Sequence, residues 1–182
     1  MDKFKPADFW TAYREALRSG GSRAKYCDSA RWTAVAVPAA MKVCTDRFGL
    51  DISKEDLRLD VMGWEPRDKF DWFLRIAYEH ENDWRTWRSE LCKLAHVVAD
   101  LCVLSSYYGK RTPARAALQK AVDPLKERLL RVPGRQWLFV FGPRSGSPKS
   151  PFHAFSLDDK GRVVPLDDAN PLRPESFRSK DG

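Results

Sequence analysis

Apolar side chains recur along the first fifty residues at the spacing of amphipathic helices. The first pattern covers residues 6–19 and stops at a Gly-Gly pair. Its apolar positions are Phe9, Trp10, Tyr13, Ala16 and Leu17. A second such pattern begins near Ser29 and runs to Gly49, with Pro38 in its middle, where we expect a kink or a break. The chain therefore opens with two predicted helices.

The central part of the chain alternates between strand and helix patterns. We predict a strand over 57–64 and a second over 70–81, and the short polar connector between them favours antiparallel neighbours. Residues 83–98 have a helical period, and residues 101–108 form an apolar run that is typical of a buried strand. The apolar stripe of this predicted helix consists of Trp84, Trp87, Leu91, Leu94 and Val98.

The last part of the chain predicts one more helix, a strand and a hairpin. Thr112-Pro113 opens the helix and Pro124 bends it, a strand follows over 136–141, and runs at 152–157 and 162–166 form the hairpin. Residues 167–182 have little apolar content and predict a disordered tail. The order α, α, β, β, α, β, α, β, β, β predicts a single α/β domain over 1–166, with a central mixed β-sheet flanked by helices on both faces.

Composition narrows the class of protein. The chain of 182 residues is long enough for one domain with a core, and no apolar run approaches the ~20 residues of a membrane span. The first residues lack the apolar segment of a signal peptide. The four cysteines form no CxxC pair, so we interpret them as reduced core residues. These features predict a cytoplasmic protein without membrane contact.

The charge of the chain is concentrated in one segment. The sequence has 32 Lys and Arg against 25 Asp and Glu, a net charge of +7. Residues 109–135 hold eight basic and two acidic residues, which places +6 of this charge in one segment. A segment with this charge favours binding of a polyanion. The alternative is a helix face that is simply hydrated. The candidate contacts to nucleic acid are Lys110, Arg111, Arg115 and Lys120.

Two glutamates follow the apolar part of the strand predicted over 70–81. Strand side chains alternate, so Glu79 and Glu81 point to the same face, where two negative charges repel each other. A hard divalent cation removes this repulsion because it takes several oxygen ligands. The alternative is a strand that runs out into solvent with both glutamates hydrated. His80 points to the opposite face, where we expect a core or hydrogen-bonding role.

Three further residues extend the candidate site. Asp60 lies near the end of the preceding predicted strand and could add a third carboxylate for one or two Mg²⁺ ions. Glu90 and Lys93 lie on the following predicted helix. Lys93 is suited to stabilising charge on a phosphate or to orienting an attacking water.

The order Asp60, Glu79-His80-Glu81, Glu90-Leu91-Cys92-Lys93 and then a buried strand resembles the PD-(D/E)xK nuclease superfamily, over about residues 57–108. The resemblance implies a restriction-endonuclease-like core and hydrolysis of nucleic-acid phosphodiester bonds with Mg²⁺ or Mn²⁺. It makes Asp60 the first metal-binding acid and Glu79 the second. Glu81 stands where the family usually has its lysine, which Lys93 could supply from the helix.

The sequence departs from the family pattern at two more points. Leu59, and not a proline, precedes Asp60. Only one strand is evident between the second helix and the polar connector, where the family fold has two.

Two functions are consistent with these patterns. The first is a metal-dependent nuclease, with Asp60, Glu79 and Glu81 as metal ligands, Glu90 and Lys93 completing the catalytic set, and DNA as the expected substrate. The chain could act as a homodimer or with a partner subunit. The second is a non-enzymatic module that keeps the scaffold and binds nucleic acid or another protein. Convergence of the three ligand carboxylates and stabilisation by Mg²⁺ or Mn²⁺ would distinguish the two.

Overall fold

The computed structural model describes residues 4–66, 71–83, 85–108, 114–143, 150–166 and 171–177. Its α-helices are α1 (Pro6–Gly20), α2 (Arg23–Tyr26), α3 (Ser29–Lys42), α4 (Trp87–Ala95), α5 (Ala114–Val122) and α6 (Lys126–Leu129). Its strands are β1 (Asp51–Ser53), β2 (Val61–Pro66), β3 (Trp72–His80), β4 (Leu101–Tyr108), β5 (Gln136–Pro143), β6 (His153–Leu157) and β7 (Val163–Pro165).

Local sequence signals explain the ends of the first helices. Pro6 occupies the first turn of α1, where a missing N–H costs nothing. The carboxylate of Asp28 accepts a hydrogen bond of 3.0 Å from the backbone N–H of Arg31 and caps α3. Pro38 lies inside α3, and the chain continues from α3 into a π-helix over Val43–Arg47. The helix therefore does not break at Pro38, and it changes to a π-helix only after Lys42; Gly49 follows at φ 66°.

The strands described here form one sheet of seven, in sequence order from β1 to β7. Strands β3, β4 and β5 are parallel neighbours, and every other pair is antiparallel. Connection length explains the difference. The β3–β4 and β4–β5 connections contain helices, which parallel neighbours need, whereas the β2–β3 and β6–β7 connections are short. The predicted α/β class with a mixed sheet is confirmed.

Buried apolar residues form two clusters. Strand residues of the first cluster include Val61, Ile76, Tyr78, Leu101, Val103, Leu138 and Val140, with residues of α1 and α3. Strand residues of the second include Met62, Ala77, Cys102, Leu104 and Phe139, with residues of α4 and α5. The two sets alternate along each strand, and alternate residues point to opposite faces of a sheet. Glu79 therefore shares the face of Ala77.

The region before β3 differs from the predicted strand over 57–64. Asp56–Arg58 forms a 3₁₀ turn, β2 begins only at Val61, and Leu57 is 70% exposed. Strand β1 was not predicted, because its three residues contain a single apolar side chain. With β1 included, two strands lie between the first helices and the polar connector.

Other predicted elements are shorter than expected. The helix predicted over 83–98 spans Trp87–Ala95, and Val98 lies outside it with its side chain 68% exposed. Trp84 lies outside the described residues. The helix predicted from Thr112 is divided at Pro124, where a 3₁₀ turn separates α5 from α6.

Two expectations about individual segments need correction. Cys44 and Cys102 are buried free thiols, as expected, but Cys27 and Cys92 are exposed. Within the predicted disordered tail, residues 171–177 pack on the first cluster, with Leu172 and Phe177 buried. The rest of that tail, 167–170 and 178–182, lies outside the described residues.

Candidate acidic site at the end of β3

A buried carboxylate lies at the carboxyl end of a central strand. Glu79 is the penultimate residue of β3, which lies between β2 and β4, and only 3% of it is exposed. Removing a carboxylate from water costs several kcal/mol unless a cation or hydrogen bonds compensate. The groups around Glu79 must therefore offset the cost of removing its carboxylate from water.

The compensating cation is Lys93 of α4. Its Nζ lies 2.5 Å from Oε1 of Glu79 and 2.5 Å from Oε2 of Glu90. Glu90 and Lys93 are three residues apart in α4, so their side chains lie on one face of the helix. Leu91 and Leu94 hold α4 against the second cluster. We call the three charged residues, Glu79, Glu90 and Lys93, the Lys93 triad.

Asp60 joins this group through strand register. Val61 pairs with Tyr78 in the antiparallel β2–β3 ladder, so the preceding residue, Asp60, comes alongside Glu79. Oδ2 of Asp60 accepts a hydrogen bond of 2.7 Å from the backbone N–H of His80. Asp60 lies just before β2 and not within it.

Burial dominates the protonation of these groups. It raises the pKa of Glu79 to about 8; Lys93 opposes the shift, and Asp60 and Glu90 add to it. Burial also raises the pKa of Asp60, against the backbone N–H of His80 and the charge of Lys93. Desolvation works to lower the pKa of Lys93, but the two glutamates of the triad outweigh it and raise that pKa. The three acids and Lys93 therefore interact electrostatically, and Glu79 keeps its proton up to about pH 8.

Glu81 is placed differently from the other predicted site residues. It follows the end of β3, and its Oε1 accepts a hydrogen bond of 2.7 Å from the backbone N–H of Asp83. Its backbone N–H donates to the carbonyl oxygen of Ser105 at 2.9 Å. The structure thus brings together Asp60, Glu79, Glu90 and Lys93, while Glu81 stabilises the turn after the strand.

The three predicted metal ligands do not form a ready metal site. Within the described ranges, no group of three or more His, Cys, Asp or Glu side chains is arranged to hold a metal ion. The carboxylates of Glu79 and Glu90 converge on the ammonium group of Lys93 instead. Binding of Mg²⁺ or Mn²⁺ stays a prediction, and it requires Lys93 to move.

His80 anchors the end of β3 on the opposite face. Its Nδ1 lies 3.2 Å from Oγ of Ser105 and its Nε2 lies 3.2 Å from Oδ1 of Asn82. Nδ2 of Asn82 donates to Oγ1 of Thr33 in α3 at 2.6 Å. Burial lowers the pKa of His80 to about 4, so the ring is neutral at pH 7. An amide oxygen only accepts, so Nε2 carries the proton and Nδ1 accepts from Ser105. The expected hydrogen-bonding role of His80 is confirmed.

A strained loop lies beside the acids. Residues 54–60, which we call the Leu57 loop, contain three non-glycine residues with positive φ: Glu55 at 58°, Leu57 at 48° and Arg58 at 61°. Each such residue costs about 1 kcal/mol or more. Nζ of Lys93 donates to the carbonyl oxygen of Arg58 at 2.7 Å, which ties the loop to the triad.

The predicted nucleic-acid contacts are only partly visible. Arg115 and Lys120 lie on α5 with exposed side chains, and Nε of Arg115 donates to the carbonyl oxygen of Val163 at 3.2 Å. Lys110 and Arg111 lie outside the described residues. A role for this segment in binding nucleic acid therefore stays a prediction.

Sequence patterns missed two parts of the site. The carbonyl oxygen of Arg58 carries no sequence signal because every residue has one. Ser105 is buried and pairs with His80 across the β3–β4 ladder. The signal available in the sequence was a polar residue within an otherwise apolar strand.

No protein-family model matches the chain, and no curated protein has a significantly similar sequence. None of the helices in the described ranges is both long and apolar enough to cross a membrane.

Proposed function

We propose that the chain is a metal-dependent nuclease that hydrolyses phosphodiester bonds of DNA. The observation that carries this proposal is the buried Glu79 at the end of β3, with Asp60 alongside it and Glu90 and Lys93 facing it from α4. Acids whose pKa values are perturbed by burial and by a specific charged partner cluster at functional sites.

The element order also supports a restriction-endonuclease-like core. Helices lead into the antiparallel strands β1, β2 and β3, and α4 then leads into β4, which is parallel to β3. The two apolar clusters alternate along the strands, so we infer that α1 and α3 cover one face of the sheet and α4 and α5 the other.

The donor chemistry fits a hard divalent cation. Asp60, Glu79 and Glu90 offer carboxylate oxygens, the ligands that Mg²⁺ and Mn²⁺ prefer. Such an ion, when bound, polarises a phosphoryl oxygen and lowers the pKa of a bound water. Asp60 and Glu79 would hold it, and Glu90 is better placed than Glu81 to assist them.

Lys93 has two roles in this proposal. Without a metal ion, its ammonium group neutralises Glu79 and Glu90. Its side chain is 32% exposed, so it can turn towards solvent when another cation takes its place. There it would stabilise negative charge on a phosphate or orient the attacking water.

Cleavage assays with matched variants test the proposal. We expect the parent to cut plasmid or oligonucleotide DNA with Mg²⁺ or Mn²⁺, and Glu79→Gln and Asp60→Asn to lose on the order of 10³-fold in rate. Glu65→Gln is the control, because Glu65 also pairs with a cation on the sheet but lies outside the proposed site. Equal rates for Glu79→Gln and the parent would contradict the site assignment.

One observation favours a non-enzymatic role: the ammonium group of Lys93 occupies the point where the carboxylates of Glu79 and Glu90 converge. A thermal melt with Mn²⁺ separates the two functions, because a ligand that binds only the folded state raises Tm. If the chain is a nuclease, Mn²⁺ should raise the Tm of the parent and should not raise the Tm of Glu79→Gln. If the parent binds DNA without cutting it, and Mn²⁺ does not raise its Tm even when DNA is present, the chain is a binding module.

A further inference from the structure

The Leu57 loop keeps a backbone conformation that its residues disfavour. Three of the four residues from Glu55 to Arg58 have left-handed φ angles, and the loop contains no glycine. Glycine adopts such angles without the clash of a side chain. A strained backbone beside a candidate site is a reason to look for a function of the side chains that it presents.

The structure holds this loop firmly at both ends. Before it, Nε1 of Trp64 donates to Oγ of Ser53 at 2.8 Å. Near its end, Leu59 is buried in the second cluster and Nζ of Lys93 donates to the carbonyl oxygen of Arg58. The same ammonium group contacts Glu79. The loop is thereby fixed at the edge of the acidic site.

The loop presents an apolar side chain to solvent. Leu57 is 70% exposed, which is the highest value among the large hydrophobic residues exposed in the described ranges. Arg58, the next residue, is also exposed, whereas Lys54 forms an ion pair of 3.2 Å with Glu55. An apolar tip beside an exposed guanidinium complements a surface that combines apolar faces with negative charge. Nucleic acid has this combination, because the faces of its bases are apolar and its phosphates are anionic.

We propose that Leu57 is a wedge that contacts the face of an unstacked base when DNA occupies the acidic site. This inference rests on the proposed nuclease function and names its substrate class: DNA with unpaired or easily unstacked bases. Leucine side chains do insert between base steps in proteins that deform DNA. Arg58, next to the wedge, is placed to contact the adjacent phosphate.

Fluorescent oligonucleotides test the wedge without catalysis. The probe is a DNA duplex with 2-aminopurine at a mismatch, a base whose fluorescence rises when it unstacks, in buffer with EDTA. We expect binding of the parent to raise the fluorescence, and Leu57→Ala to abolish the rise and weaken binding about tenfold. Val98→Ala is the matched control, because Val98 is 68% exposed and lies outside the loop.

A second variant separates function from folding. Leu57→Gly removes the same side chain and relieves the strained φ, so we expect a higher Tm together with loss of the fluorescence rise. If Leu57 served only the fold, Leu57→Gly would keep the fluorescence rise.

The outcomes distinguish the wedge from the nuclease. If the parent cuts DNA and Leu57→Ala gives the same fluorescence and affinity as the parent, the wedge is wrong and the nuclease stands. If the rise depends on Leu57 but no condition gives cleavage, the wedge stands and the nuclease fails. If the parent neither binds nor cuts any oligonucleotide, with EDTA or with Mn²⁺, both are wrong.

Discussion

Strand β3 carries two ion-pair triads, one near each end, and the contrast between them bears on the proposed site. Near the start of the strand, Arg75 lies between Glu65 and Asp100, at 2.5 and 2.8 Å; we call these three residues the Arg75 triad. Near its end, Lys93 lies between Glu79 and Glu90. Both triads place one cation between two carboxylates, so charge alone does not separate them.

Burial separates the two triads. In the Arg75 triad the cation is the least exposed member, at 18%, and its carboxylates are 32% and 45% exposed. In the Lys93 triad the order is reversed: Lys93 is 32% exposed, and Glu79 and Glu90 are 4% and 21% exposed. The guanidinium of Arg75 also lies 5.4 Å from the ring of Phe73. The first triad surrounds a packed cation with the more exposed acids, whereas the second buries its acids behind the more exposed cation.

The largest expected difference between the triads is the pH dependence of stability. The pKa of Glu79 rises from its ordinary 4.5 to about 8 in the folded state, so the folded protein binds a proton that the unfolded chain releases between these values. Glu79 should therefore lower the free energy of unfolding by a few kcal/mol at most as pH rises from about 4.5 to 8. His80 acts in the opposite direction between about pH 4 and 6.5, where the unfolded chain binds a proton that the folded protein does not, so we expect the fall chiefly above pH 6.5. Urea unfolding across this range measures it.

Glu79→Gln and Glu65→Gln are the paired controls for that titration. The first should remove the fall above pH 6.5, because a neutral amide replaces the group that titrates, and the second should leave the profile unchanged. Saturating Mn²⁺ should also remove this fall in the parent, since a bound cation favours the ionised carboxylate. If Glu79→Gln has the same pH profile as the parent, the titration belongs to another group.

Replacing the two cations gives a smaller difference. Arg75→Met should lower the free energy of unfolding by ~1–2 kcal/mol, because the variant loses the ion pairs and the packing of the guanidinium group. The loss should be the same at every pH from about 6 to 9, because the guanidinium of the parent is charged throughout this range. Lys93→Met should cost little at low pH, where Glu79 is protonated, and more as pH rises. Denaturant titrations at several pH values measure both. If the loss in free energy of unfolding has the same pH dependence in Arg75→Met and Lys93→Met, the proposed distinction between the triads is wrong.

The smallest expected effect concerns the neutral network behind the Lys93 triad. Ser105→Ala removes the donor to Nδ1 of His80 and should cost ~1 kcal/mol of stability. His80 presents its backbone N–H to Asp60, so cleavage should also fall, by about tenfold. Arg75→Met supplies the comparison, since it should lower stability at least as much without slowing cleavage. Equal rates for Ser105→Ala and the parent would show that the network serves only the fold.

Sequence patterns identified the long periodic elements and several site residues. The strand over 101–108 has the predicted bounds, and Glu90 and Lys93 lie on one helix face as their spacing requires. Strand β1 and the turn at Asp56–Arg58 were missed because such short segments have no periodic pattern. Spacing placed Glu79 and Glu81 on one face, but β3 ends between them, and Glu81 turns to Asp83.

The sequence by itself determined the α/β class, the basic surplus and the set of acids available for chemistry, because period, composition and residue type are local properties. Only the tertiary structure decided which acids meet. The β2–β3 register brings Asp60 alongside Glu79, and the packing of α4 brings Glu90 and Lys93 to the same carboxylate. Register and helix docking depend on contacts between residues far apart in the chain, which no local pattern records. For the same reason, only the folded chain shows Leu57 exposed on a strained loop beside the acids.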